Sequence, residues 1–523
     1  MKLSIIKKFT YVYLIPLSII IVLNSLISIK SSTYFELYMQ NELPSFIHDN
    51  SMLLVIVLLL WIAFVWWINF FRVLDKIPYK VMCVVNCIYV MGMCLLTIWI
   101  FHCGVVCDSM YVNNLAVQFM EGDYTTFFTS GYYMTYPYQL NMASYFRLVY
   151  SLFGVENYVA FEILNSIFIT LIIFMLQRIT YELFENEQIC KWEIIFSMLL
   201  FPLFLYSTFV YGDIPGFAAA IVTVYSTIKY LKTDKLKYAI CAGICLSLGL
   251  IVKTNNNIFL IAVVFILILK SINEKKGKVL IIATIICILS QVGTRIVETA
   301  YLNESEYVEM PKGTPLISFI VMGIQDNGDG TSNGPGWHNG FDMNVYQNAN
   351  YDYDLAYEMC VNKLKEAALE HVHNPMKALN FFYRKYVSQW NDPTYQSLIM
   401  NEWYSRHVEQ TSAWEYFNYG RGRDILFNLM NGAHTIMLAF MGIGLVIFLK
   451  KWSFEGAFVL MCVFGGMMFH EFVWEAKGRY VLPYYVLLVP FAAFGCVYFL
   501  NWLNSMIERY KEKRNISTHN KVV

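Results

Sequence analysis

The sequence predicts an all-α polytopic membrane protein, and three observations carry this prediction. Of its 523 residues, 57% are hydrophobic and only 15% are charged, whereas soluble domains carry about 25% charged residues. Apolar runs of roughly 20 residues, enough to cross a bilayer, recur about twelve times. Basic residues gather between alternate runs, as they do on the cytoplasmic side of membrane proteins.

The twelve expected helices divide the chain into membrane and non-membrane parts. They are predicted near residues 11–29, 52–71, 81–102, 157–177, 193–211, 214–230, 238–252, 256–270, 279–300, 432–449, 454–474 and 481–503. The resulting parts are N-terminal transmembrane helices (1–102), a first extracytoplasmic loop (103–156), central transmembrane helices (157–301), a large, mainly helical extracytoplasmic loop domain (302–431), C-terminal transmembrane helices (432–503) and a basic cytoplasmic tail (504–523).

The basic residues predict the orientation of the chain. They cluster on one side of the alternating helices, at residues 2–8, 72–80, 229–237, 270–278, 450–451 and 509–521. That side is predicted to be the cytoplasm and to contain both termini. The large outer loop carries 16 acidic and 9 basic residues, and its Cys360 is expected to react from outside the cell. Because the 38 basic and 38 acidic residues of the chain cancel, no basic field indicates a nucleic-acid partner.

One lysine lies where the membrane should begin. The runs 238–252 and 256–270 hold about 15 residues each, too short to cross comfortably, and KTNNN (253–257) joins them. We expect a polar vertex that dips into the outer leaflet. Lys253 is costly there unless it faces water or an anion; alternatively, it snorkels at a helix end.

The first outer loop opens with an acidic residue directly after a long apolar run. Asp108 is followed by a series of tyrosines, among them Tyr136 and Tyr138. Tyrosine presents an apolar face and a hydroxyl, which suits sugars and lipid head groups, but it also forms interfacial belts. Asp108 is either an N-cap of the next helix or a catalytic carboxylate, and its position alone does not separate the two.

Further charged residues lie at the outer ends of other predicted helices. Asp213 stands in the turn YGDIPG (211–216), where it could also cap a helix, and Glu475 and Arg479 precede the last run. In the large loop, DNGDGT (326–331) is faintly similar to a calcium-binding loop. It lacks the full ligand set and the closing glutamate, so a flexible loop is favoured.

These segments together resemble the GT-C superfamily of polyprenyl-phosphate-sugar-dependent glycosyltransferases, in particular the bacterial relatives of protein O-mannosyltransferases and of the aminoarabinose transferase of lipid A. The resemblance rests on Asp108 and on the sequences YPYQL (136–140), LFGVENYVAFEILNSI (152–167), YSTFVYGDIPG (206–216), GLIVKTNNNIFL (249–260) and EAKGRYVLPYYVLLVP (475–490). Their order and predicted sidedness agree with the family, although two extra spans precede the first long outer loop.

The resemblance implies a GT-C-like bundle and an inverting sugar transfer on the outer side of the membrane. Asp108 would be the general base, and Asp213 would orient Asp108 or the acceptor. Lys253 and Arg479 would hold the donor phosphate. Tyr136, Tyr138, His338 and Trp337 would line the path of the sugar or the lipid, and Glu475 would also bind the substrate. The implied partners are a polyprenyl-phosphate sugar donor, a glycan, lipid or protein acceptor, and membrane lipids. No metal or other cofactor is predicted, although some superfamily members use a divalent cation.

Two other functions remain open at the level of sequence. A multi-span transporter also has many spans and intramembrane charges, but transporters often show two related halves. The segment 302–430 has no counterpart in the first half of the chain. An outer-leaflet polysaccharide polymerase or ligase also handles glycans and has a large outer loop, but it does not need the ordered charged set.

Overall fold

A computed structural model describes residues 2–38, 41–125, 131–305, 307, 309–326 and 334–519. Within these residues, nine helices are long and apolar enough to cross a membrane. Two bent helix pairs and one shorter apolar helix provide three further segments. Each of the twelve predicted runs coincides with one of these segments, so the all-α polytopic fold is confirmed.

The first half of the chain contains most of the spanning helices. In chain order it forms α1 (Lys2–Ile27), β1 (Ser31–Tyr38), β2 (Asn41–His48), α2 (Ser51–Phe70), α3 (Tyr79–Phe101), α4 (Asp108–Met120), α5 (Gly131–Thr135), α6 (Gln139–Phe153), α7 (Tyr158–Phe184), α8 (Glu187–Ser197), α9 (Phe201–Leu205), α10 (Asp213–Thr233), α11 (Leu236–Val252), α12 (Asn257–Glu274) and α13 (Lys278–Ser305).

The second half contains the outer loop domain and the last spans. It forms α14 (Ile317–Ile324), α15 (Phe341–Asn348), α16 (Tyr353–His373), α17 (Pro375–Trp390), α18 (Ser397–Ser405), α19 (Ser412–Asn418), α20 (Arg421–Lys450), α21 (Phe454–Met468), α22 (Gly478–Leu487) and α23 (Val489–His519). A π-helical turn, Phe469–Val473, follows α21. As predicted, the described part of the outer domain is mainly helical.

Local sequence explains where several of these helices begin. α2 follows Asn50, whose side chain accepts a hydrogen bond from the backbone N–H of Leu53, and α7 follows Asn157, which caps it in the same way. Such a cap satisfies one of the N–H groups that the first helical turn leaves unpaired. After each cap follows a largely apolar helix, of 20 residues in α2 and 27 residues in α7, which is long enough to cross a bilayer.

The central helices pack closely around α10 and α20. α10 lies against α7 and α11, and α20 lies between α1 and α23. The expectation that both short runs fail to span is wrong for the second: with its preceding turn, it extends over Thr254–Glu274 and is long enough. α11 has only 17 residues. The polar residues between α11 and α12 therefore stand at one end of the bundle.

A β-hairpin after α1 was not predicted from the sequence. β1 and β2 pair antiparallel, with Ser31 opposite His48 and Tyr38 opposite Asn41. The backbone N–H of Thr33 donates to the carbonyl of Asn391 (2.9 Å), so the hairpin is joined to the end of α17. This pairing brings residues far apart in sequence to the same end of the bundle as the outer domain.

The hairpin helps to hold residues 474–478, which precede α22. Glu42 forms a buried ion pair with Lys477 at 2.5 Å. Burial raises the pKa of Glu42, but the charges of Lys477 and Arg479 outweigh it and leave the pKa below its usual value. Lys385 of α17 donates to the carbonyl of Trp474 (2.8 Å), and burial lowers the pKa of Lys385 to about 8.

Replacing Glu42 with leucine should destabilise the protein, because Lys477 would be left buried without its carboxylate. Breaking a buried pair from one side typically costs about 3–5 kcal/mol. The expected result is a lower midpoint of thermal unfolding in detergent. The double variant Glu42→Leu/Lys477→Met, which removes both charges, should recover most of the loss; an unchanged midpoint in the single variant would show that the pair does not stabilise the fold.

The orientation can be tested with introduced cysteines. Cys360, expected to react from outside, is fully buried and is a poor reporter. Glu366 on α16 and Lys235 between α10 and α11 are both exposed. In intact cells, an impermeant maleimide should label Glu366→Cys above the wild-type background and label Lys235→Cys only after permeabilisation. The reverse pattern would invert the predicted topology.

Candidate active site

A cavity of about 800 Å³, including its part open to solvent, lies at the end of the bundle next to the hairpin and the outer domain. Six chain segments meet there: the start of α4, the α5–α6 region, the turn before α10, the α11–α12 junction, the α14–α15 region and the start of α22. We call it the polar cavity; its lining includes Asp108, Tyr132, Tyr136, Tyr138, Gln139, Tyr211, Lys253, Asn255, His338, Asp342, Glu475, Arg479 and Tyr480.

Asp108 is an exposed carboxylate on the wall of the polar cavity. It is the first residue of α4, and the N-cap residue is Cys107, so the capping interpretation of Asp108 is wrong. Cys107 has φ of 51°, a left-handed conformation that costs a non-glycine residue about 1–3 kcal/mol and is common at functional sites. Among the described residues, Asp108 belongs to no ion pair.

A tyrosine that the sequence analysis did not assign to the site positions Asp108. The hydroxyl of Tyr132 donates to Oδ1 of Asp108 at 3.1 Å. The Tyr132 ring stacks on Tyr111, with centroids 4.1 Å apart and planes at 14°. Gln139 donates to the hydroxyls of both Tyr132 (3.3 Å) and Tyr211 (2.8 Å). Neutral hydrogen-bonding groups therefore orient the carboxylate of Asp108.

Asp213, Lys253 and Arg479 form a charged cluster beside Asp108. Lys253 Nζ lies 2.9 Å from Asp213 Oδ2, and Arg479 Nε lies 4.0 Å from Asp213 Oδ1. Asp213 is the first residue of α10 but does not cap it, because the N-cap is Gly212. The snorkelling interpretation of Lys253 is also wrong, since its side chain is only 15% exposed and is paired. Two cations share one carboxylate, which leaves a formal charge of +1.

Glycine allows the helices of this cluster to approach each other. A Cβ at Gly212 would lie 2.0 Å from the carbonyl oxygen of Val252, and a Cβ at Gly216 would lie 2.8 Å from the Cβ of Lys253. Side chains at these positions would push α10 away from the end of α11. The GDIPG sequence thus brings Asp213 within reach of Lys253.

Aromatic rings surround the two cations. Lys253 Nζ lies 5.2 Å from the ring centroid of Tyr211 and 4.9 Å from that of Tyr480. The Arg479 guanidinium lies 5.4 Å from the Phe209 ring and 5.5 Å from the Tyr480 ring. Cations at these distances are attracted by the ring quadrupoles. The rings compensate in part for the water that the buried cations have lost.

A second cavity of about 520 Å³, again including its part open to solvent, adjoins the first. We call it the apolar cavity, because apolar and aromatic side chains form most of its wall. They include Tyr206, Ile214, Phe217, Phe259, Leu482, Pro483 and Tyr484. Lys253, Asn255, Arg479 and Tyr480 line both cavities. The cations therefore stand at the boundary between a polar space and an apolar one.

The buried carboxylate of Asp342 connects Tyr136, in the α5–α6 region, with His338, which lies just before α15. Tyr136 donates its hydroxyl proton to Asp342 Oδ2 at 2.6 Å, and His338 Nε2 lies 3.5 Å from Asp342 Oδ1. Asp342 was missed because it lies inside a helix of the outer domain without a recognisable motif. The neighbouring aromatic pair, Phe319 and Trp474, stacks with centroids 4.6 Å apart.

Glu475 is the remaining acidic residue of this wall. Its side chain is only 6% exposed, and its Oε1 accepts a hydrogen bond from the Tyr480 hydroxyl at 3.1 Å. Its Oε2 has no hydrogen-bond partner among the described residues. A buried carboxylate oxygen without a donor is unfavourable, so the hydrogen-bonding capacity of Oε2 is unused within the described residues.

The structure brings eight of the nine sequence-predicted site residues to the two adjoining cavities. The exception is Trp337, which is fully buried and donates from Nε1 to Ser388 Oγ at 2.9 Å. Five line the polar cavity (Asp108, Tyr136, Tyr138, His338 and Glu475), Asp213 lines the apolar cavity, and Lys253 and Arg479 line both. Their chemical roles stay predictions. Sequence reasoning missed Gln139 and Tyr480, although Tyr480 directly follows Arg479 in a quoted motif.

Among the residues that the structure describes, no group of three or more His, Cys, Asp or Glu side chains is arranged to hold a metal ion. Of the loop weakly similar to a calcium site (326–331), residues 327–331 lie outside the described residues. Independence from metal therefore stays a prediction.

Two solved structures share partial similarity with the chain. Both are of the oligosaccharyltransferase of Archaeoglobus fulgidus, one in complex with zinc and sulfate and one in the apo form. Each shows 11% sequence identity and a TM-score of 0.41, and the matches cover 81% and 84% of this chain. They cover 49% and 52% of the oligosaccharyltransferase, so the chain spans about half the length of the structures it matches.

No curated protein matches the sequence. A family model described as conserved hypothetical integral membrane protein matches residues 5–496, which is nearly the whole chain. This match agrees with the helical, apolar architecture described above. The chain belongs to this family of integral membrane proteins.

Proposed function

We propose that the protein is a membrane glycosyltransferase that moves a sugar from a polyprenyl-phosphate-linked donor to a hydroxyl group on the outer side of the membrane. The observation that carries the proposal is the position of Lys253 and Arg479 at the boundary between the apolar and polar cavities. The parts of a polyprenyl-phosphate sugar follow the same order as the apolar cavity, the two cations and the polar cavity: an apolar chain, one anionic phosphate and a polar sugar. The motif resemblance points to the same donor class.

The cations are suited to a phosphate that becomes a leaving group. With Asp213 they carry a formal charge of +1, which complements the single negative charge of a phosphodiester. During transfer, negative charge grows on the departing phosphate, and fixed positive charge in a water-poor site stabilises it strongly. Asp213 positions both cations before the donor arrives, which reduces the reorganisation needed in the reaction.

Asp108 is the proposed general base. It is exposed to the polar cavity and held by Tyr132, so an acceptor hydroxyl could reach its free oxygen. Asp108 would take the hydroxyl proton while the acceptor oxygen bonds to the anomeric carbon and the bond from that carbon to the phosphate oxygen breaks. Attack opposite the phosphate inverts the anomeric centre. A positioned base of this kind typically supplies about 10²–10⁴-fold in rate.

The most direct mutational test is Asp108→Asn. Asparagine has nearly the same shape but cannot accept the proton, so sugar transfer in detergent should fall by at least about 10²-fold. Binding of a farnesyl-phosphate sugar should persist, because the phosphate contacts are unchanged. Full transfer activity in this variant would contradict the role of Asp108.

Lys253→Ala serves as the matched control for that experiment. It removes a phosphate contact and leaves the base, so it should weaken donor binding, whereas Asp108→Asn should not. Lys365→Ala, on the outer domain and outside both cavities, should change neither property. Unaltered donor affinity in Lys253→Ala would contradict the phosphate site.

His338, which is paired with Asp342, is a further cation on the wall of the polar cavity. Burial lowers the pKa of His338, but its hydrogen bond and charge interaction with Asp342 outweigh this effect and raise the pKa to about 9. The same pair holds the pKa of Asp342 below its usual value in spite of burial. His338 is therefore protonated at neutral pH and leaves Asp342 ionised as the acceptor for Tyr136.

This charge state predicts a pH dependence of stability. The folded pKa of His338 lies above its unfolded value of about 6.5, so the pair contributes fully below that pH and the contribution is lost as pH rises through about 9. The midpoint of thermal unfolding should fall across this window, and it should fall less in His338→Gln. An equal fall in both proteins would contradict the charged pair.

A further inference from the structure

The free carboxylate oxygen of Glu475 has no use in the reaction steps described so far. We propose that Glu475 recognises a hydroxyl group of the transferred sugar and so contributes to the choice of sugar. This inference rests on the proposed function, because it assigns a second contact for the same donor.

The first argument is the state of the carboxylate. Glu475 is buried on the wall of the polar cavity, and Oε2 lacks a donor among the described residues while Oε1 is engaged by Tyr480. A hydrogen bond from a neutral hydroxyl to an ionised carboxylate is worth more than one between neutral groups. A sugar hydroxyl would satisfy the atom that the protein leaves unsatisfied.

The second argument is the distance from the phosphate site. The Tyr480 ring lies 4.9 Å from Lys253 Nζ, and the hydroxyl of the same side chain donates to Glu475. One tyrosine side chain therefore separates the proposed phosphate contact from the free carboxylate. In a glycosyl phosphate, a single sugar ring separates the phosphate from the far hydroxyls. A tyrosine side chain and a sugar ring are of similar length. A glycosyl phosphate bound at Lys253 would therefore bring a sugar hydroxyl to Glu475.

The third argument is how firmly Glu475 is placed. Its neighbour Trp474 is bound through its carbonyl by Lys385. The N–H of Ala476 donates to the carbonyl of Gly336 at 2.8 Å, and Lys477 is paired with Glu42. The hairpin and two parts of the outer domain, α17 and the segment between α14 and α15, thus fix the backbone on both sides of Glu475. A rigid acceptor discriminates between hydroxyl positions better than a mobile one.

The test measures binding rather than turnover. Purified protein in detergent is titrated with farnesyl phosphate and with the farnesyl-phosphate esters of glucose, mannose and galactose. The wild type should bind at least one ester more tightly than farnesyl phosphate. In Glu475→Gln, the ratio of these two affinities should fall about ten- to hundredfold, as expected for the loss of a charge-assisted hydrogen bond.

Two further variants keep the test decisive. Tyr480→Phe retains the ring beside Lys253 but releases Glu475, so it should lower the same ratio by a smaller factor even if Glu475→Gln folds poorly. Glu366→Gln makes the same charge change on the exposed surface of α16 and should leave the ratio at the wild-type value.

The outcomes separate this inference from the proposed function. If the esters and farnesyl phosphate bind and Lys253→Ala weakens both, but Glu475→Gln and Tyr480→Phe keep the wild-type ratio, the role of Glu475 is wrong and the donor site stands. The role of Glu475 is also contradicted if no ester binds more tightly than farnesyl phosphate. If none of these ligands binds, the donor class is wrong and both proposals fall.

Discussion

The ion cluster of Asp213, Lys253 and Arg479 is the interaction on which the rest of the site depends. It joins the start of α10, the junction of α11 and α12 and the start of α22 through contacts of 2.9 and 4.0 Å. Charges buried at a membrane edge are expensive unless they are paired or meet a charged ligand. Because one carboxylate pairs with two cations, the cluster is partly neutralised and keeps a net positive charge that can bind an anion.

The surrounding structure supports this cluster from two directions. Glycines on α10 permit the close helix contact, and aromatic rings cover the cations. From the other side, the hairpin and the outer domain hold the residues that lead into α22 through Glu42, Lys385 and the carbonyl of Gly336. The outer domain therefore contributes to the geometry of the site as well as covering it, and changes far from the cavity should alter where Arg479 stands.

Much of the fold was predictable because apolar length and basic-residue alternation are strong, local signals. They located twelve helical segments and placed Asp108, Asp213, Lys253 and Arg479 at the same end of the bundle. The hairpin was missed because residues 31–48 lie between two long apolar runs and carry no strong strand pattern. Glu42 and Asp342 were missed for a related reason: Glu42 meets Lys477, and Asp342 meets Tyr136, only through tertiary packing. Sequence also left helix capping open for two aspartates, which only the side-chain contacts could decide.

The central claim is that a lipid phosphate binds between the two cavities. A structure determined with farnesyl phosphate tests it most directly. The account predicts phosphate oxygens within hydrogen-bond distance of Lys253 Nζ and the Arg479 guanidinium, with the prenyl chain along Ile214, Phe217 and Phe259 in the apolar cavity. A phosphate bound away from both cations, or a prenyl chain lying in the polar cavity beside Asp108, would contradict it.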